Sequence, residues 1–485
     1  TAKPCVSQLC IAKAQRQPRT EKMRLMWFRC DLRLDDNPAL QAACQAALQA
    51  ATPLLPIFIF DPRHFNVPTL AGARKCGPRR ARFLLESVAA LRSALEQRGS
   101  GLAVALGKTE EVMPRVCRNV EEIYLQETVC SEERSLETAL EKALEGNVKL
   151  RRVWGGSLFL PEEWGQDSEK PSASPSAFKN KAEEHGHIRE PLGLPTAFPE
   201  LPREAFREEL SFMPSLQALG FSDEDAEAAS KWDPRAALAF EGGEKAAMAR
   251  MQKWMFDDDR LKEYFEIRNG MLGEGYSSKF SPWLALGCIS PRRIWKEVQR
   301  YEAERVKNKS TYWLIFELEV RDFWIYLAKT YGNLIFKPGG IVGNDSPWDD
   351  YPDRLENWKN GSTGDLLVDA NMRELKTTGF MSNRGRQNVA SYLIFDLEVD
   401  WRYGAAHFEE YLLDYDPCAN WGNWVAAAGL TGQRINRFNT KKQLNDYDPD
   451  RAYVRHWLGS DIVDDPKRNC DEAGSGKGSG KGKGK

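Results

Sequence analysis

The sequence has no long apolar run. Its longest, such as Pro53 to Phe60, is about the length of one buried strand, far short of the ~20 residues a membrane-crossing helix requires. Nor does one sign of charge dominate. The 68 basic and 70 acidic residues leave a net −2, so any contact with nucleic acid has to come from a local patch. The ten cysteines include no C-x-x-C pair, and the five histidines are scattered. Neither a metal site nor a disulfide scaffold has the spacing it needs, and reduced thiols in an intracellular compartment are the expectation. Gly101 through Gly107-Lys108-Thr109 comes near a phosphate-binding loop, but five residues separate the glycines where the motif has four, and they have strand character.

What is present is an ordinary globular composition, 42% hydrophobic and 28% charged over 485 residues, enough for more than one core. Residues 1–22 are basic and acid-poor, which fits an organelle transit remnant or a plain disordered extension. Residues 23–165 alternate strand and helix signals. Leu25 to Phe28, Leu54 to Phe60, Leu102 to Leu106 and Glu122 to Leu125 are expected as strands. Ala39 to Ala51, Ala81 to Gln97 and Glu110 to Arg118 are expected as helices between them, which predicts a doubly wound parallel sheet. Residues 166–230 include Pro171, Pro175, Pro191, Pro195, Pro199 and Pro202 and are expected to connect two domains. Residues 231–465 are helical in pattern and rich in aromatics, and 466–485 end in a Gly/Ser/Lys tail that cannot build a core.

Three stretches in the helical part carry unusual polar chemistry. Gly275-Tyr276-Ser277-Ser278-Lys279-Phe280-Ser281-Pro282 places small hydroxyl residues before a helix start, suited to capping or to holding a phosphate. In Phe316 to Phe323, Glu317 and Arg321 stand four apart on one helix face. They form a surface ion pair or, given Trp313, Phe316, Phe323 and Trp324 around them, buried charges in need of partners. The third stretch runs from Gly379 to Asn388 through Ser382-Asn383-Arg384-Gly385-Arg386-Gln387. It is followed by Asp400-Trp401-Arg402, Asp414-Tyr415-Asp416 and Asn420-Trp421-Gly422-Asn423-Trp424. Arginine and asparagine beside acids and indoles suit an extended ligand with phosphates and a hydrogen-bonding ring.

On these residues, together with Trp27-Phe28-Arg29 and Asp31-Leu32-Arg33, the chain resembles the photolyase/cryptochrome flavoproteins, and within them the DASH-type cryptochromes, over residues 24–465. No histidine pair stands where a (6-4) photolyase carries its catalytic histidines. The resemblance implies an α/β antenna domain and an all-α domain that binds FAD. It implies that Tyr264, Ser277, Ser278, Lys279, Phe280 and Ser281 hold the flavin phosphates and adenine side. Glu317, Arg321, Phe380, Asn383, Arg384 and Arg386 would line the cofactor and substrate mouth. Asp414 and Asp416 would lie near the ribityl and isoalloxazine, and Asn420 would face flavin N5. Trp424, Trp401 and Trp348 match the family's electron chain, although each indole alone would be read as core packing. Glu127 and Tyr415 match contacts to a methenyltetrahydrofolate antenna. The implied activity is blue-light repair of cyclobutane pyrimidine dimers, preferably in single-stranded or damaged DNA, by a monomer without membrane contact. The alternative is a photoreceptor with weak or no repair. The implied compartment is intracellular, with chloroplast and mitochondrion as candidates. Arg384, Arg434, Arg437, Lys441 and Lys442 are candidate phosphate contacts.

Three residues depart from the family pattern. Val320 stands where photolyases carry a Trp beside the dimer, Ala426 where they carry Trp and DASH proteins Tyr, and Cys30 where Asn is usual. The first two remove aromatic walls from the substrate cavity and leave the flavin contacts in place.

Overall fold

A computed structural model describes residues 22–162, 174–202, 210, 212–344 and 347–463. The basic start and the Gly/Ser/Lys tail lie outside the described residues.

Five strands form one sheet: β1 (Met23–Phe28), β2 (Leu54–Phe60), β3 (Ala103–Leu106), β4 (Val120–Gln126) and β5 (Lys149–Val153). Their order is β3-β2-β1-β4-β5 and every pairing is parallel, so the expected doubly wound sheet is what forms. All seven residues of β2 are buried, because helices cover both faces of a parallel sheet. Pro56 is tolerated in this inner strand because β3 begins to pair only at Ile57, so its missing N–H leaves no ladder bond unmade. The crossover helices include α1 (Pro38–Gln49), α2 (Pro78–Glu96), α3 (Thr109–Val116) and α4 (Ser131–Ala143).

Two elements here have no counterpart in the sequence expectation. β5 is an exposed edge strand, Lys149-Leu150-Arg151-Arg152-Val153, without apolar alternation. Its arginines are tied down laterally, Arg151 to Glu122 at 2.6 Å and Arg152 to Glu137 at 2.5 Å, as a charged edge should be. The charged helix α4 buries a narrow stripe, Leu136, Glu137 and Leu140. Within the proline-rich stretch a further helix, α5 (Pro175–His185), starts on Pro175 with Ser174 as its cap. Its Phe178 ring stands 5.7 Å from both Phe323 and Tyr326, so this stretch packs into the core instead of merely linking domains.

The helical lobe is built around α6 (Lys309–Tyr331), capped by Asn308 and Thr311 in a capping box. It continues with α7 (Leu366–Thr378), α8 (Asn383–Phe395), α9 (Trp401–Tyr411), α10 (Pro417–Ala427) and α11 (Ala452–Leu458). Among the described residues no helix is long and apolar enough to cross a membrane. The lobes are locked by the Asp31-to-Asp36 segment. Buried Arg33 donates to the carbonyls of Asp36, Gly155 and Gly287, and Arg292 pairs with Asp36 at 2.5 Å. Gly287 has φ +66°, and a Cβ there would lie 2.1 Å from the Cys30 carbonyl. Only glycine permits this approach of the lobes.

Candidate flavin pocket and interlobe cavity

The helical lobe gathers its polar residues on the loop before Pro282 and on the starts of α8 and α10. Lys279 sits at φ +57°, a left-handed conformation uncommon outside glycine, which turns its side chain inward. The buried ammonium touches the Ser277 hydroxyl at 3.4 Å and lies over the Tyr276 ring at 3.3 Å and the Phe380 ring at 5.6 Å. No carboxylate pairs with it among the described residues, and burial together with the Arg250 charge pushes its pKa down. Among the described residues the Tyr276 hydroxyl is buried without a partner, as is Asp414 Oδ1. An unpaired interior cation among hydroxyls is costly unless an anion joins it, so this cradle fits a phosphate-bearing ligand. Ser278, Phe280 and Ser281 follow the same loop; Phe280 is buried and Ser281 opens the short helix Ser281–Ala285. Arg250, which sequence reasoning missed, holds the loop by donating to the carbonyls of Glu274, Ser277 and Ser278. Trp254 does the same through Gly275 at 3.0 Å. Neither carries a spacing signal, since both reach the loop from a separate segment.

Tyr264, expected on the phosphate side, donates its hydroxyl to Glu317 Oε2. Its ring also meets Trp254 edge-on at 5.3 Å, and Trp254 meets Phe280 at 5.9 Å, so it bridges the two groups. Burial lifts the Glu317 carboxyl to about 7, against the opposing hydrogen bond from Tyr264 and charge of Arg268. Arg321 does not pair with Glu317. It donates to the Gly156 carbonyl at 2.6 Å and lines the cavity between the lobes. Arg321 thus shares a helix face with Glu317 but reaches the carbonyl of Gly156 on the α/β lobe. At the start of α8, Ser382 caps the helix and Asn383 is exposed. Arg384 donates to Gln387 at 3.0 Å and to Asn269 at 2.9 Å. Arg386 pairs with Asp414 at 2.8 Å and sits 5.7 Å from the Phe380 ring. Asn420 Nδ2 donates to the Ala405 carbonyl at 3.0 Å, which fixes its amide.

The three indoles share neighbours. Trp348 and Trp401 donate to the same Pro338 carbonyl, at 3.1 and 3.4 Å. Trp424 lies against the helix that Trp401 begins: its ring centroid is 5.1 Å from that of Phe408. A Cβ on Gly404 would come within 2.2 Å of Trp424. Two further indoles lie close by, Trp421 at 5.9 Å from Trp401 and Trp358 at 6.3 Å from Trp424.

A second space of about 670 Å³ opens between the lobes. Residues following β1 (Arg29, Cys30), β2 (Asp61) and β4 (Glu127, Thr128) form one wall. This is the carboxyl-end crevice where the strand order reverses, the usual ligand position in such sheets. Tyr415, Asp416, Cys418 and Trp421 from the start of α10 form the other wall. Glu127 and Tyr415, 288 residues apart in the chain, therefore line one cavity. Arg80 stacks over the Tyr415 ring at 4.7 Å. Among the described residues Arg29 Nε and Nη1, Gln126 Oε1 and Glu133 Oε2 are buried without partners, and burial raises the Glu133 carboxyl to about 7. Asp416, expected at the flavin, caps α10 by accepting from the Ala419 amide at 2.8 Å and lines this second cavity.

A doubly wound parallel sheet is thus locked onto a helical lobe, with a crevice between the two. The family pattern described as DNA photolyase matches residues 24–202, and that of the FAD binding domain of DNA photolyase matches 313–462. The chain is 43% identical over 457 residues to "Cryptochrome DASH, chloroplastic/mitochondrial" of Ostreococcus tauri, covering 90% of this chain and 83% of that one. It is 43% identical over 445 residues to Cryptochrome DASH of Synechocystis sp., covering 90% and 87%. The crystal structure of the Synechocystis sp. PCC6803 cryptochrome superposes with a TM-score of 0.84 at 42% identity, covering 91% of each chain. A bacterial class III photolyase from Agrobacterium tumefaciens superposes at 0.76 and 26% identity, covering 95% and 93%. The chain belongs to the DASH cryptochromes of the photolyase/cryptochrome family, and its carboxy-terminal half is an FAD-binding domain.

Proposed function

We propose that the protein is a DASH-type photolyase that splits cyclobutane pyrimidine dimers under blue light, acts as a monomer and prefers single-stranded DNA. The observation that carries this reading is Glu317, a carboxyl brought to about 7 by burial and held by Tyr264 in the helical lobe. A neutral acid can donate a hydrogen bond to a pyrimidine carbonyl, as a carboxylate cannot. Asn383 adds an amide from the start of α8. A bound reduced FAD supplies, on excitation, the electron that opens the dimer. Lys279 and the hydroxyls of Ser277, Ser278 and Ser281 hold its phosphates; Phe380, Arg386 and Asp414 hold the adjoining part. Asn420 would face flavin N5, where an uncharged amide adds no negative charge. Trp348, Trp401 and Trp424 carry electrons inward from the surface. Taking the lesion out of the stack costs a few kcal/mol in a duplex and little in a single strand, which favours the single-stranded substrate. Arg384, Arg434 and Lys441 contact phosphates; Arg437 and Lys442 already pair with Asp396 and Asp446.

The interlobe cavity takes methenyltetrahydrofolate as antenna, with Glu127 and Tyr415 as contacts. The unpartnered Arg29 and Gln126 atoms suit a ligand that is part heteroaromatic and part anionic.

A second reading, a blue-light receptor with weak repair, is favoured by Val320, one turn after Glu317 on α6, and by Ala426 on α10. Both side chains are small where stacking would hold the lesion. The deciding experiment illuminates the reduced holoprotein with a dimer-containing single-stranded oligonucleotide. Falling dimer content is the expected result. Unchanged dimer content with normal flavin photoreduction rejects repair in favour of the receptor.

A further inference from the structure

We infer that Cys130 and Cys418 form a peroxide-oxidisable dithiol, a modification site that staples the α/β lobe to the helical lobe at the wall of the interlobe cavity. The two sulfurs are 3.5 Å apart although the residues are separated by 288 positions. Cys130 caps α4, and Cys418 is the second residue of α10. Both are buried, at 6% exposure each, and both line the cavity, which gives a small oxidant a way in. A disulfide needs about 2.05 Å between sulfurs, so closure asks for a shift of roughly 1.5 Å.

Two cysteines packed as small hydrophobes are the ordinary reading of such a pair. What separates this pair is its partner. The other two cavity thiols face other groups: Cys30 accepts from the Gln126 amide at 3.5 Å, and Cys76 donates to the Gly77 carbonyl at 3.4 Å. The Cys418 thiol is pushed above its ordinary range by the hydrogen bond to Cys130 and by burial, with the Asp416 and Glu133 carboxyls adding to it. Oxidation that starts at Cys418 is therefore slow, but the 3.5 Å contact directs it to one partner.

The reaction balances with one peroxide. The first sulfur attacks a peroxide oxygen, the O–O bond breaks, and a sulfenic acid and one water result. The second sulfur displaces the sulfenic oxygen as a second water. Two thiols lose two hydrogens and two electrons, and hydrogen peroxide is reduced to two waters. The product joins the helix that bears Glu133 to the helix that bears Asn420 and Trp424. The inference does not depend on which chromophore fills the cavity.

The test oxidises the full-length, flavin-loaded protein with hydrogen peroxide, blocks free thiols with N-ethylmaleimide and maps the peptides by mass spectrometry. The expected result is a linked peptide pair containing Cys130 and Cys418, lighter by two hydrogens and formed before any other linkage. The unfolding midpoint should rise by several degrees, because the bond closes a very long loop, and dithiothreitol should reverse it. Cys130→Ser and Cys418→Ser should each bind flavin and lose both the linked pair and the rise. The inference is overturned if both cysteines are recovered singly alkylated after other thiols have been oxidised. Linkage of either one to Cys30 or Cys76 overturns it equally.

Discussion

The two lobes differ in how they hold several of their buried acids. In the α/β lobe, burial pushes the Asp61 carboxyl up, yet hydrogen bonds from Arg63 and Thr109 outweigh it and hold the group at about 2. Asp36 is fully buried and accepts from Arg292, Ser290 and Leu192. In the helical lobe Glu317, Glu374 and Asp322 are raised to about 7 and Glu319 to about 8, each mainly by burial. None of the four has an arginine or lysine in ion-pair contact among the described residues. Depth is similar in both lobes, so the difference lies in the partners. Ion-paired acids lock structure. Acids left neutral contribute hydrogen bonds without placing negative charge in the lobe that holds a reduced cofactor. The division is not complete: in the α/β lobe burial raises Asp31 and lifts Glu133, at the interlobe cavity, to about 7, and in the helical lobe Asp414, Asp400 and Glu410 are paired with arginines.

The largest expected effect is therefore at a locking pair. Arg292→Met keeps most of the side-chain stem and removes the charge that faces Asp36. Breaking a buried pair on one side costs about 3–5 kcal/mol. Urea unfolding at pH 7 should show that loss, with the midpoint falling at unchanged slope. A loss below about 1 kcal/mol would mean that Ser290 and the Leu192 amide satisfy Asp36 alone, and the contrast between lobes would be weaker than drawn.

Where sequence and structure agree follows the same physics. β1, β2 and β3 were legible because a covered parallel strand is nearly a continuous apolar run, and β4 through its buried Ile123-Tyr124-Leu125. β5 was not, because its residues are chosen for an exposed edge and their partners, Glu122 and Glu137, lie elsewhere in the chain. The loop from Tyr276 to Ser281 and the starts of α8 and α10 were legible as motifs, since capping and anion-holding chemistry is local. Arg250, Trp254 and the Glu374–Tyr453 hydrogen bond at 2.6 Å were not, because each is one residue reaching across from another segment. The direction of Arg321 and the meeting of Cys130 with Cys418 were hidden for the same reason: packing between lobes decides both.

The next effect tests what the neutral acids are for. If Glu317 holds the lesion by hydrogen bonding where stacking is thin, restoring a ring should add to it. Val320→Trp should tighten binding of a dimer-containing single strand by about 1–3 kcal/mol, roughly 5- to 150-fold. Ala426→Tyr should act in the same direction, and the pair need not add. Fluorescence titration against an undamaged strand isolates the lesion-specific part. No gain from either ring would mean that the mouth does not stack bases, and the receptor reading would gain.

The smallest effect concerns Glu319, which is 3% exposed with Oε2 unpartnered. The groups that act on its carboxyl are Glu183, Lys179 and Asp322. Its folded pKa, about 8, exceeds the ordinary 4.5, so between these values the folded protein binds more protons than the unfolded chain. Stability therefore falls as pH rises through that window and is lowest, for this group, above pH 8. Glu319→Gln removes the charge but keeps a buried polar group, whose own cost offsets part of the gain. The variant should be more stable than the parent by on the order of 1 kcal/mol at pH 9 and no more stable, or slightly less, at pH 5. Urea midpoints at the two pH values read this change of sign directly. A uniform difference at both would mean that Glu319 is ionised in the fold, and that the helical lobe tolerates a buried carboxylate without an ion-pair partner.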